Sequence, residues 1–264
     1  MFSGPIPEDL GNLSSLIQFL AFTNNITGRV PHAIWNLKNL RVFRVGYNGI
    51  SGTLPSEIGG CESLEYLGLT SNELGGNILK EFGMLGSLTD LILWDNQLSG
   101  FIPKELGNCT NLEILALYLN NLVGEIPVEI GNSMFLRKLY LYSNELNGTI
   151  PREIGNLSLA TEIDFSDNHL SGEILKEFSQ IKDFNENNLV GKIPAEIGNI
   201  MFLRKLCLYS NELNGTIPRE IGNLSLATDI YFSDNHLSGE IPKEFSQITG
   251  LRFLDLSQNQ LTSL

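Results

Sequence analysis

The sequence predicts an α/β-type solenoid: a right-handed superhelix with a parallel β-sheet on its concave face and a mostly irregular or 3-10 convex side. Three observations predict it. An asparagine recurs at intervals of 24 residues, at Asn24, Asn48, Asn72, Asn96, Asn120, Asn144 and Asn168, and after one step of 19 it continues at Asn187, Asn211, Asn235 and Asn259. A glycine follows four residues behind, at Gly28, Gly52, Gly76, Gly100, Gly124, Gly148, Gly172, Gly191, Gly215 and Gly239. Around both, apolar residues keep one frame, cleanest at Leu112, Leu115, Leu117, Asn120, Leu122, Gly124, Ile126 and Pro127.

Each part of the frame has a physical reading. The alternation after Leu115 is that of a short strand with one face buried. A single repeat has only its neighbours to bury leucines against, so the repeats stack and their strands form a parallel sheet. The asparagine follows the strand where the chain turns inward. Its amide can bond unpaired backbone groups of adjacent coils, and an alanine there would cost roughly 1–3 kcal/mol for each group left unsatisfied. Gly124 supplies a permissive backbone at the next bend, Pro127 fixes φ, and Ile130 fills the outer side of the core. With strands ~4.8 Å apart, about eleven coils make a rod on the order of 50 Å long.

The frame is that of a leucine-rich repeat. Its Ile-Pro ending, followed by x-x-[IL]-G-N-L, resembles the 24-residue repeats of plant receptor-like kinases and receptor-like proteins, and the resemblance covers essentially the whole chain. It implies an extracellular recognition module for a secreted peptide or a co-receptor. One group of such receptors holds a peptide's free carboxylate with an Arg-x-Arg pair on a concave strand. Arg44 has a suitable position, but Val42 and Gly46 flank it, so that feature does not carry over. The ectodomains of the family carry paired cysteines in capping modules. None are here, so the resemblance implies an uncapped internal piece whose open ends expose apolar core and favour self-association.

Residues 1–264 read as a single array: a half-repeat over 1–15, then about eleven repeats, with near-duplicate blocks at 134–181 and 201–248. Leu79 and Leu175 stand where proline is expected. The 19-residue step shortens the repeat near 176–191, where Lys182, Asp183 and Phe184 replace most of a strand and two buried leucine positions are missing. Phe184 fits either of two core slots. This repeat is expected to be the weakest coil. The duplicate blocks differ only at Tyr140/Cys207, Glu162/Asp229, Asp164/Tyr231 and Leu175/Pro242.

A net charge of −13 argues against nucleic acid and anionic membrane surfaces. No segment approaches the ~20 apolar residues of a membrane span. No signal peptide is expected, because residues 1–7 already read as the back half of a repeat. Cys61 and Cys109 share one position two repeats apart, ~10 Å, too far for a disulfide, and Cys207 falls on a strand. Three free thiols follow, with no metal site and no cofactor. Sequons at Asn12, Asn25, Asn108, Asn147, Asn156, Asn214 and Asn223 favour a secretory origin.

Repeat solenoids bind on the concave sheet, so candidate ligand-binding residues are those pointing away from the core there. They are Phe22, Arg44, Tyr47, Tyr66, Ile92, Trp94, Tyr118, Tyr140 and Tyr142. Phe22, Trp94, Tyr118 and Tyr142 hold one position on different coils, so with Tyr66 and Ile92 they should form an aromatic strip of the kind that anchors interfaces. Later strands are acidic, through Glu162, Asp164, Asp167, Asp183, Glu186, Asp229 and Asp234, and suit a basic segment or simply water. Catalysis finds no motif, and His32, His169 and His236 are too scattered to share a metal. Three rivals stand beside the recognition module: an inhibitor resembling the polygalacturonase inhibitors, an ice-binding solenoid, and a truncated or constructed array without a selected ligand. Ice binding wants a regular ladder, whereas the residues after the repeat glycine run Arg29, Thr53, Asn77, Phe101, Glu125 and Thr149.

Overall fold

In the computed structural model every residue is described except 179, 180, 182, 201, 263 and 264. The leucine alternation produces the expected concave sheet. Seven three-residue parallel strands, Gln18–Leu20, Val42–Arg44, Tyr66–Gly68, Asp90–Ile92, Ile114–Ala116, Lys138–Tyr140 and Glu162–Asp164, pair in order. Three more, Lys205–Cys207, Asp229–Tyr231 and Phe253–Asp255, continue it. Equivalent residues face each other throughout, Leu91 pairing with Leu115 and Leu115 with Leu139. One face of each strand from Val42–Arg44 to Asp229–Tyr231 is therefore core, whereas in the last strand, Phe253–Asp255, Leu254 is exposed.

A second sheet was not legible in the sequence. Twelve parallel strands from Ser3–Gly4 to Gln260–Thr262 run along the flank of the solenoid, each after the first lying just behind a ladder asparagine. The sequence reading places only a bend there, because glycine and polar residues are poor strand formers in isolation. The repeat glycine lies within or at the end of these strands with positive φ, +80° at Gly124, so the chain pairs and bends at once. The residue before each ladder asparagine is also left-handed, from Thr23 (φ 55°) to Gln258 (φ 53°). Nothing in the residue types at this place announces that conformation, since Tyr47, Leu119 and Thr23 all adopt it.

The convex side consists of short 3-10 segments such as Val128–Asn132, and no α-helix occurs among the described residues. A proline precedes most of these segments, and its fixed φ suits the extended residue that leads into them. Ile130 and its equivalents from Ile34 to Phe245 point inward and are buried, closing a single apolar core with Leu112, Leu115, Leu117 and Leu122, while Leu10 at the N-terminal end is only partly covered. Each buried leucine contributes roughly 1.5–3 kcal/mol, and almost all of its partners sit on the neighbouring coils.

The asparagine ladder takes the form the sequence implies. Asn120 Nδ2 donates to the carbonyls of Leu117 at 3.0 Å, Tyr118 at 3.2 Å and, one coil back, Leu93 at 3.2 Å. Its Oδ1 accepts the Leu98 amide at 3.0 Å. The same set recurs at Asn96, Asn144 and Asn168.

At the short repeat the concave strand shrinks to Asp183, which bridges Asp164 on one side and Cys207 on the other. Among the described residues the convex segment there covers Lys176–Phe178. Phe184 takes the second of the two open core slots: it is buried, and its amide donates to the Cys207 carbonyl as that of Leu208 does to Tyr231. The expectation concerning Lys182 lies outside the described residues. The second sheet passes this coil unbroken, His169–Glu173 pairing with Asn188–Lys192.

The cysteines are free and buried. Burial pushes the Cys61 and Cys109 thiols up to about 11 and Cys207 up to about 12. No helix among the described residues is long and apolar enough to cross a membrane.

Candidate functional site: an aromatic hollow on the concave face

Side chains two, four and six residues before each ladder asparagine leave the core and form rows across the concave sheet. Strand register aligns one such row as Arg44, Gly68, Ile92, Ala116, Tyr140 and Asp164. A neighbouring row carries Trp94, Tyr118 and Tyr142, which stack face to face. Ring centroids lie 4.9 Å apart for Trp94 and Tyr118 and 4.2 Å for Tyr118 and Tyr142. Tyr47 meets Trp94 edge-on at 5.8 Å, and Tyr140 meets Tyr118 edge-on at 6.1 Å. The rings are partly exposed and lie outside the core. Spacing by one strand step is what permits the stack, and such pairs add about 0.5–1.5 kcal/mol each beyond their burial.

The expectation of one strip from Phe22 to Tyr142 needs a correction. On the next two coils the position of Phe22 is held by Gly46 and Thr70, so the row is interrupted. Phe22 lies instead beneath Arg44, whose guanidinium carbon is 4.5 Å from its ring centroid and 5.9 Å from that of Tyr66. The interruption is a hollow of about 140 Å³, lined by Phe22, Arg44, Gly46, Tyr47, Tyr66, Gly68, Thr70, Ile92 and Trp94. Gly46 and Gly68 make it possible. A Cβ on Gly68 would meet the Tyr66 ring at 2.7 Å, and one on Gly46 would lie 3.1 Å from the Thr70 carbonyl oxygen.

Electrostatics single out this end of the face. Arg44 is exposed and makes no ion pair among the described residues, whereas Arg41, Lys38 and Lys138 are each matched to a glutamate. Burial raises the phenol pKa values of Tyr66 and Tyr118, so both hydroxyls stay neutral. Further along, Tyr140 donates to Glu162, which also accepts Lys138 at 3.4 Å. Burial holds the Asp164 carboxyl above the usual carboxylate range, although Ser166 donates to it and Asp183 stands beside it. The hollow is the cationic end of a face that becomes anionic.

The seven sequon asparagines are all exposed. Asn12, Asn108, Asn156 and Asn223 end 3-10 segments, while Asn25, Asn147 and Asn214 lie on the second sheet. None is on a concave strand. Arg29, Thr53, Asn77, Phe101, Glu125 and Thr149 are exposed on the flank, an uneven row with a 69% exposed phenylalanine. No group of three His, Cys, Asp or Glu placed to hold a metal occurs among the described residues. The sequence reading missed Gly46 and Gly68 as site residues, since the only signal is the lack of a side chain between bulky neighbours.

A family profile described as Leucine Rich Repeat matches residues 39–61, 87–109, 135–157, 160–181, 202–224 and 228–248, together just over half of the chain. The plant peptide hormone receptor RGFR1 in complex with RGF2 superposes with a TM-score of 0.95 at 39% identity, over 98% of this chain and 42% of that one. The Arabidopsis receptor kinase HAESA, in complex with the peptide hormone IDA and the co-receptor SERK1, gives 0.93 at 32% identity, over 98% and 44%. A plant ice-binding protein gives 0.70 at 28% identity, over 94% and 80%. The chain thus spans less than half the length of either receptor structure. No curated protein sequence matches it significantly.

Proposed function

The chain belongs to the leucine-rich-repeat family, and from that premise we propose that it is a non-enzymatic recognition module that binds an extended peptide along its concave face. The observation that carries this reading is the hollow beside Trp94, where an unpaired arginine is set among aromatic walls and a stack of rings leads away from it. An extended peptide presents side chains at the spacing of such subsites. Tyr and Trp faces supply rigid contact area at small entropic cost, and Arg44 offers charge-assisted donors to an acidic group. Solved receptors similar to this chain include complexes with peptide hormones, which supports the same class of ligand here.

A co-receptor surface is the second partner class, supported by the HAESA complex with SERK1. Ice binding has a structural relative but not the surface: the exposed flank row mixes arginine, phenylalanine and glutamate with threonine. The uneven row disfavours it. An extracellular setting is supported by the receptor relatives and by sequons that leave the concave face bare.

The test is a binding screen of secreted plant peptides and co-receptor ectodomains against the intact protein and a Trp94→Ala/Tyr118→Ala variant. Truncating Trp94 should cost roughly 2 kcal/mol in binding while the solenoid stays folded. Equal signal from both proteins would overturn the concave-face reading.

A further inference from the structure

One edge of the solenoid changes character halfway along. It is the edge where the chain returns from the convex side to a concave strand. Three residues before the strand, the first five coils carry Ser15, Asn39, Ser63, Ser87 and Asn111. Later coils carry Phe135, Leu159, Phe202 and Leu226 at the same position. These four are 53%, 46%, 80% and 48% exposed, and Met134 beside Phe135 is 67% exposed. The core does not call for them, because serine and asparagine serve the same position in the earlier coils. Single exposed apolar residues are ordinary, but four in line form a contiguous strip.

The strip has an internal symmetry. Phe135 and Leu159 are one coil apart, Leu159 and Phe202 are two apart across the shortened coil, and Phe202 and Leu226 are one apart. Its length is four steps, about 19 Å at ~4.8 Å each. The near-duplicate blocks put the same Phe-Leu pair on both sides of the shortened coil. Reversing the strip end for end therefore sets each phenylalanine against a leucine: Phe135 against Leu226, and Leu159 against Phe202.

Charges on the same edge obey the same operation. Immediately before the strands stand Glu113, Arg137 and Thr161 on one side of the shortened coil, and Arg204, Thr228 and Arg252 on the other. Reversal sets Arg252 against Glu113, Arg137 against Thr228 and Arg204 against Thr161, so no like charges meet. Arg252 is exposed and makes no ion pair among the described residues. Glu113 holds Arg137 at 3.3 Å, yet its side chain is 47% exposed. It also walls an open hollow of about 370 Å³ with Glu65, Asn111 and Phe135. The partner's Arg252 would come to lie over this acidic hollow.

We infer that this edge is a two-fold interface with a second copy of the chain, the two solenoids lying antiparallel with the axis at the shortened coil. The inference goes beyond the peptide reading and does not depend on it, since Arg44 and Trp94 stand on earlier coils of the concave face. The two phenylalanines alone offer roughly 250 Å². With Leu159, Leu226, Met134 and the charged rim, the dimer buries on the order of 1,000 Å² in total, the size of a reversible interface. A two-fold contact closes at the dimer, whereas contact between the two open ends would run on into longer chains.

The experiment is sedimentation velocity of the intact chain from nanomolar to high micromolar concentration. The chain comes from a secretory host, so that any glycans at Asn156 and Asn223, three residues before Leu159 and Leu226, are in place. Monomer should convert to dimer with no larger species. Phe135→Asp/Phe202→Asp should weaken the dimer at least about tenfold with an unchanged melting temperature, because both side chains already face water. Arg252→Glu should weaken it too, more at low salt than at high. Trp94→Ala should dimerise like the intact chain. For the register, a mixture of Phe135→Cys and Leu226→Cys chains should cross-link on mild oxidation and neither variant alone should, the native thiols being buried. A chain that stays monomeric, dimerisation undiminished in the double aspartate variant, or cross-linking of Phe135→Cys with itself would each overturn the interface.

Discussion

Asn120→Ala should destabilise the protein far more than the same change at the end of the ladder, and the structure says why. The side chain satisfies four backbone groups, but they are not equally dependent on it. The carbonyls of Leu93 and Leu117 are shared with Asn96 and Asn144, so each keeps a partner. The Leu98 amide accepts no substitute: it is bonded to Asn120 Oδ1 at 3.0 Å, and Leu98 is fully buried. Orphaning one buried N–H costs about 1–3 kcal/mol, and the lost bonds to carbonyls add about 1 kcal/mol more. The total is about 2–4 kcal/mol, or roughly 5–15 °C in melting temperature for a chain of this size. At Asn24 the corresponding group is the amide of Phe2, which is exposed and can turn to water, so the cost stays within about 0.5 kcal/mol. Urea and thermal denaturation followed by circular dichroism measure both. Equal losses at the two sites would refute the claim that the ladder acts by satisfying buried backbone.

Gly124→Ala should cost about 1–2 kcal/mol or more, because φ is +80° and a Cβ would run into the Phe101 ring, whereas Gly86→Ala, facing open space, should be neutral in the same melts. Replacing residues 176–186 by the sequence of 243–258 restores a 24-residue step and the leucine frame that Phe184 fills only in part; stability should rise by about 2 kcal/mol and amide exchange at Phe165 and Leu206 should slow. The three thiols, buried and with pKa values pushed up to about 11 and 12, should ignore a thiol reagent at pH 8 until the protein is unfolded. Asp164 titrates above its unfolded value because of burial, so the folded state holds its proton more tightly and stability falls as pH rises through that window; Asp164→Asn should remove the fall, seen as a flatter profile of melting temperature against pH.

What the sequence made legible follows from where its information is redundant. Leu115, Leu117, Asn120 and Ile130 recur with the same role in the coils of full length, so their burial and the ladder could be read from one copy and checked against the rest. The flank sheet was hidden because its strands are built on Gly124 and polar neighbours, whose pairing is imposed by stacking rather than by their own preference. The left-handed residues before each asparagine were hidden for the same reason: Leu119 at φ 54° is held there by the coil, and leucine alone would not choose it.

The site was legible in its bulky members and not in its empty ones. Trp94, Tyr118 and Tyr142 stand at one repeat position, and register alone is enough to stack them. The hollow depends on what is missing, Gly46 and Gly68, and a glycine between aromatics looks in a sequence like a weak strand position. A copied half reads as uninformative, yet three of the four positions where the copies diverge, Cys207, Asp229 and Tyr231, lie on concave strands, which no single copy could have shown.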